Sequence, residues 1–83
     1  MNELEKRKSE VINHKGKMVK HFKGQNYIIL DFAIDSETDK ILVIYKALYG
    51  ECKVFARDLT MFSEEVDHKK YPDVKQKWRF ELI

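Results

Sequence analysis

Tyr27-Ile28-Ile29-Leu30-Asp31-Phe32-Ala33-Ile34-Asp35-Ser36-Glu37-Thr38-Asp39-Lys40-Ile41-Leu42-Val43-Ile44-Tyr45-Lys46-Ala47-Leu48 sets two apolar runs of equal length around a short polar loop. β-Branched and aromatic residues dominate both runs, the composition that suits a pleated, half-buried surface. Asp35, Ser36, Thr38 and Asp39 are turn formers whose side-chain oxygens accept hydrogen bonds from nearby backbone N–H groups. The stretch therefore reads as a β-hairpin. With Ile34 opposite Ile41, strict alternation gathers Ile28, Leu30, Phe32 and Ile34 on one face with Ile41, Val43, Tyr45 and Ala47. That face carries no charge and is the expected core. The opposite face mixes apolar residues with Asp31 and Lys46, which this register makes diagonal neighbours within reach of an ion pair.

Working outward, Met18-Val19-Lys20-His21-Phe22-Lys23 alternates with period two and reads as a first strand, with Met18, Lys20 and Phe22 sharing a face. Gly24-Gln25-Asn26 is its turn into the hairpin, because Gly and Asn tolerate positive φ. Val54–Arg57 is a further short strand. Asp58 can cap a single helical turn over Leu59–Phe62. Residues 67–76 are polar, contain the single Pro, and form a loop. Trp78, Phe80 and Leu82 alternate with Arg79 and Glu81 in a last strand with one apolar face. At the start, Asn2–Asn13 reads as a helix capped by Asn2, with Glu5 at the capping-box position. Leu4, Val11 and Ile12 give that helix a narrow apolar stripe. A helix so short needs a docking surface to persist, so it is expected to cover an open sheet face. The competing reading makes it a partner-binding or homodimer-forming arm.

The expectation is a mainly β fold: a small SH3-like barrel of about five strands, with a short N-terminal helix and one helical turn before the last strand. Residues 1–15 form the helical extension and residues 16–83 the β-barrel domain.

Bulk properties narrow the function classes. The 83 residues, 43% hydrophobic with ten aromatics, suit one packed domain near the lower size limit for a self-sufficient core. No apolar run approaches the roughly 18 residues of a membrane span, and nothing reads as a secretory leader. The single cysteine, Cys52, has no partner for an internal disulfide, which fits a reducing cytoplasm. The net charge of +2 is segregated: residues 1–24 carry +4, residues 25–66 carry −4, and residues 67–83 carry +2. A nucleic-acid binder commonly shows a larger basic excess.

Chemistry-bearing constellations are few. His14, His21, Cys52 and His68 are scattered, with no pair at metal-ligand spacing, so no metal or cofactor is expected. Cys52 lies between one acid and one base, Glu51 and Lys53, and reads as a surface thiol. No nucleophile–base arrangement stands out, and no enzymatic activity is expected. Six residues are candidate contacts for a ligand or partner: His21, Tyr45, Lys46, Tyr49, Phe55 and Arg57. Tyr45, Tyr49 and Phe55 are candidates for an aromatic contact surface. Arg57 carries a guanidinium that can hold a carboxylate or phosphate with two bonds. Its structural alternative is an ion pair with Asp31, Glu37 or Glu65 that locks the barrel. A small-molecule site at His21, Tyr45 and Arg57 requires those three side chains to converge.

His21-Phe22-Lys23-Gly24, Ser36-Glu37-Thr38, Tyr45-Lys46-Ala47-Leu48-Tyr49-Gly50, Arg57 and Met61-Phe62 follow one another with a spacing that resembles domain-of-unknown-function family 1653. These are small bacterial proteins with an SH3-like fold. The resemblance spans Gly16 to Ile83. Asp35, Phe55, Asp58 and Trp78 depart from the family pattern, which has His, Trp, Pro and Pro there. It implies the fold and a bacterial, cytoplasmic setting, and it brings no activity with it. The functional expectation is thus a non-enzymatic interaction module for a protein or peptide. The alternative is weak binding of single-stranded nucleic acid or RNA. It would use Lys20, Lys23, Lys77 and Arg79 on paired first and last strands.

Overall fold

A β-bulge decides how the hairpin faces its core. The computed structural model describes residues 2–83, and in it β2 (Asn26–Ile34) pairs antiparallel with β3 (Ile41–Ala47). Ile34 opposes Ile41 and Phe32 opposes Val43, as alternation predicts. The register then shifts between Ile29 and Asp31, so that Ile29 meets Tyr45 and Tyr27 meets Ala47. One extra residue reverses the side to which every earlier side chain points. Ile29 is consequently fully buried, while Leu30 is 39% exposed. The expected inward set is corrected in its first half: Tyr27 and Ile29 face the core in place of Ile28 and Leu30. At the loop end Ile34 is 62% and Ile41 37% exposed, so the core stops short of the hairpin turn. The expected Asp31–Lys46 ion pair is not formed. Asp31 instead pairs with Lys15 at 3.1 Å.

Five strands form one antiparallel sheet in the order β4-β3-β2-β1-β5, with β1 at Met18–His21, β4 at Val54–Asp58 and β5 at Phe80–Leu82. The first and last strands pair, with Val19 opposite Leu82 and His21 opposite Phe80. β4 and β5 are the two edges, and no ladder joins them, so the sheet is not closed. The order β1 to β4 follows the chain because short connections place consecutive strands side by side.

Helix α1 (Glu3–Ile12) begins where Asn2 Oδ1 accepts the backbone N–H of Glu5 at 2.8 Å. Its neighbour α2 (Leu59–Ser63) is capped by Asp58, whose Oδ1 accepts from Thr60 and Met61. The two helices pack on each other and close the same core. Val11, Val19, Ile29, Val43, Tyr45, Leu59, Phe62 and Phe80 form that core. The helix thus covers its own fold. Its most consequential side chain is Arg7, which the apolar stripe does not include. Arg7 is buried, donates to the Phe80 carbonyl at 2.9 Å, and lies 4.7 Å over the Trp78 ring.

The loop between β2 and β3 is closed by its own side chains. Asp35 Oδ1 accepts from Glu37 N at 2.9 Å and Thr38 Oγ1 from Lys40 N at 3.3 Å. Gly24, at φ +103°, makes the turn from β1 to β2. No helix among the described residues is long and apolar enough to cross a membrane.

Candidate functional site

Two surfaces meet at Tyr27. The first is aromatic. Tyr27, on β2, packs edge-on against Tyr45 at 5.4 Å, Tyr49 at 5.6 Å and Phe55 at 6.3 Å. Its hydroxyl shares a 2.8 Å hydrogen bond with that of Tyr49. Burial, followed by that bond, pushes the Tyr27 hydroxyl up to about 12, so Tyr27 stays neutral across physiological pH. Tyr45 is buried and supports the group from beneath, with Phe55 tilted against it at 5.6 Å. Tyr49 and Phe55 remain 46% and 39% exposed. They form a shelf beside edge strand β4, whose Val54 is also exposed. The alternation of β3 turns Lys46 to the opposite face from Tyr45, where it lies between Ile28 and Val54. Lys46 belongs to neither surface.

The second surface is a cleft of about 290 Å³ lined on three sides: by His21, Phe22 and Lys23 at the end of β1, by Arg57 on β4, and by the segments carrying Lys70, Tyr71 and Arg79. Backbone bonds set its walls. Phe22 N donates to Arg79 O at 3.1 Å, and Arg79 N donates to Glu64 O at 3.0 Å. Phe22 and Tyr71 meet at 5.0 Å, and Lys23 lies over both rings. Of the three groups that a small-molecule site requires, His21 and Arg57 share this cleft. Tyr45 lies in the core behind them.

Electrostatics makes the cleft unusual. Neither Arg57 nor Arg79 has a carboxylate within ion-pair distance among the described residues. The expected locking pair of Arg57 with Asp31, Glu37 or Glu65 is therefore not formed. Asp67 is the single carboxylate at the cleft, and its Oδ1 accepts the backbone N–H groups of Lys69 and Lys70. His21 reports the result. Burial, and then the charges of Lys23, Arg57 and Arg79, lower it from 6.5 to about 4. Between those values the unfolded chain takes up a proton that the folded chain refuses, so stability falls as pH drops through that window. The ring is partly in solvent, so the loss is on the order of 1–2 kcal/mol. Urea midpoints at pH 7 and 4.5 should show it, and His21→Gln should remove most of the difference. The exposed Asp31 carboxyl, held low by the Phe32 N–H and then Lys15, loses its contribution only at lower pH.

The basic patch expected on the first and last strands is split by the fold. Lys77 is bonded to Glu3, Lys20 lies opposite Glu81, and Lys23 and Arg79 join the cleft. Lys70, Tyr71 and Tyr27 were absent from the sequence-derived candidates, and Arg79 entered only through the nucleic-acid alternative. A larger concavity, about 650 Å³, lies between the hairpin loop and α2. Two of its three carboxylates, Asp35 and Asp58, are taken up by backbone N–H groups, and the third is Glu64. Among the described residues no three metal-ligating side chains cluster.

Comparison with known proteins adds two findings. The model of a family described as a protein of unknown function, DUF1653, matches residues 17–82. The crystal structure of a protein belonging to DUF1653 from Bordetella bronchiseptica aligns with a TM-score of 0.69 at 28% identity, covering 83% of this chain and 86% of that one. Among curated proteins, none matches.

Proposed function

This chain belongs to the DUF1653 family, whose function is unknown, and on that premise we propose that it is a non-enzymatic recognition module for a protein or peptide segment. The observation that carries the reading is the exposed Tyr49–Phe55 shelf beside the open edge of β4. An edge strand offers unpaired backbone N–H and C=O groups, so an extended segment can add to it as a further strand. The shelf then supplies an apolar anchor beside that ladder. Tyr27 and Tyr45 hold the two exposed rings from behind, which lowers the entropy lost when a partner covers them. We read the open five-stranded sheet as an SH3-like arrangement. The bacterial structural relative and the single cysteine support a bacterial, cytoplasmic setting.

Selection of displayed peptides on the immobilised protein tests this reading. Enriched peptides should shift the amide resonances of Tyr49, Val54 and Phe55. Truncating an aromatic anchor commonly costs at least about 1–2 kcal/mol in binding. Phe55→Ala should therefore weaken them tenfold or more, while the lost packing on Tyr27 and Tyr45 lowers the urea midpoint without unfolding the protein. Failure to enrich any peptide, or peptides that bind Phe55→Ala as well as the parent, would overturn it.

A further inference from the structure

We propose that the cleft between β1, β4 and the segment around Arg79 is a binding site for a dianionic phosphate group, carried as the monoester of a small organic molecule. The site is separate from the peptide shelf, and its existence does not depend on that reading. Its basis is a convergence of hydrogen-bond donors that nothing in the fold takes up.

Arg57 and Arg79 are both half-buried, and neither side chain makes a hydrogen bond or ion pair among the described residues. The Nε of Arg79 has no acceptor among the described residues; it is shielded from solvent, so it reaches an anion only with a shift of the side chain. A half-buried guanidinium normally finds an acceptor, because its five N–H groups lose water when they are covered. His21 adds a donor of defined direction. Its Nδ1 accepts the backbone N–H of Lys23 at 3.1 Å, which places the ring proton on Nε2, free of any protein partner. Lys23 and Lys70 bring two more cations to the rim, each lying over an aromatic ring. Four fixed positive charges therefore face one carboxylate, and that carboxylate is engaged by backbone.

Such an arrangement repels itself until an anion enters. Two guanidinium forks and an imidazole N–H match the several oxygens of a phosphate better than the two of a carboxylate, and a dianion offsets more of the charge. The site is held ready by the backbone bonds of Arg79 to Phe22 and Glu64. The cleft volume of about 290 Å³ exceeds what a phosphate needs, leaving space for the group that carries it beside Phe22 and Tyr71. A polymer backbone fits less well. Lys8, Lys15, Lys53 and Lys77 each sit against a carboxylate, and the two half-buried guanidiniums without acceptors lie together in the cleft and not along a track. The lowered proton affinity of His21, due to burial and then to Lys23, Arg57 and Arg79, agrees with a positive site.

Amide and arginine side-chain NMR signals, followed during titration with phenyl phosphate, inorganic phosphate, benzoate and a short single-stranded oligonucleotide, test the proposal. Chloride at matched ionic strength is the control. Phenyl phosphate should saturate with a Kd of about 1 mM or tighter, shifting His21, Lys23, Arg57 and Arg79. Inorganic phosphate should compete at the same residues, and benzoate should bind at least several-fold more weakly. Arg57→Gln should lose tenfold or more of the phenyl phosphate affinity. Lys23→Gln and Lys70→Gln, at exposed positions that leave the fold intact, should each lose about two- to fivefold. Three results would overturn the site: shifts no larger than those with chloride, benzoate binding as tight as phenyl phosphate, or affinity unchanged in both lysine variants. Tighter binding of the oligonucleotide, with shifts running through Lys20 and Lys77, would assign the surface to nucleic acid instead.

Discussion

Phe62→Ala is expected to remove about 3–5 kcal/mol of stability, the usual cost of truncating a buried phenylalanine. Phe62 is 1% exposed and stacks on Phe80 with ring centroids 4.0 Å apart and planes nearly parallel. Its edge meets Tyr45 at 5.2 Å. It therefore joins three elements: the short helix α2, the edge strand β5 and the central strand β3. A domain of this size has roughly 4–12 kcal/mol in all, so one substitution takes a large share. Urea unfolding should show the loss directly, and the thermal midpoint should fall by well over 10 °C. Phe62→Leu keeps most of the volume and should cost under about 2 kcal/mol. A loss below about 1 kcal/mol for the alanine variant would mean that α2 and β5 are not packed through this ring.

Arg7→Ala is expected to cost about 2–3 kcal/mol, an unusual sum for one charged side chain on a helix of ten residues. The side chain is buried against its own fold, its guanidinium bonded to Phe80 O and stacked over Trp78. Alanine loses the charged hydrogen bond, the ring contact and the packing of the long stem together. Arg7→Met keeps the stem and should recover about half. Trp78 is the only tryptophan, so its fluorescence reports the contact without ambiguity. The helix lies outside residues 17–82, the segment that matches the family, yet it contributes Val11 and Arg7 to the interior. If Arg7→Ala left both the urea midpoint and the emission of Trp78 unchanged, the docking of α1 described above would be wrong.

The elements were legible where local chemistry speaks for itself. Asn2 and Asp58 announce their helices because a short acceptor side chain precedes each apolar stretch, and both cap as expected. The loop at Asp35–Lys40 and the pairing of Ile34 with Ile41 were equally plain. The bulge at Leu30 was not. Ile28, Ile29 and Leu30 are all apolar, so neither phase of alternation is favoured, and tertiary packing chooses between them. That choice moved Tyr27 inward and built the aromatic group, which is why Tyr27 escaped a reading by alternation.

The candidate site was legible only in part, for a similar reason. His21 and Arg57 stand out as polar residues within apolar strands. Nothing along the chain joins them to Lys70, which lies in a polar loop without periodicity. Arg79 alternates with Phe80 in a way that suggests an outward, solvated cation. Its backbone bonds to Phe22 and Glu64 instead hold it against the end of β1. Arg7 escaped notice because a helical arginine reads as surface charge until the fold puts a carbonyl and a tryptophan beside it.

Titration of the His21 ring, followed by its carbon and nitrogen NMR signals in a buffer free of phosphate, measures the field of the cleft most directly. With the ring partly buried and Lys23, Arg57 and Arg79 uncompensated around it, the midpoint is expected at about 4, and it should rise when phenyl phosphate is bound. A midpoint at or above 6.5 without ligand would mean that a carboxylate of the protein already neutralises the cleft, contradicting its role as an open anion site.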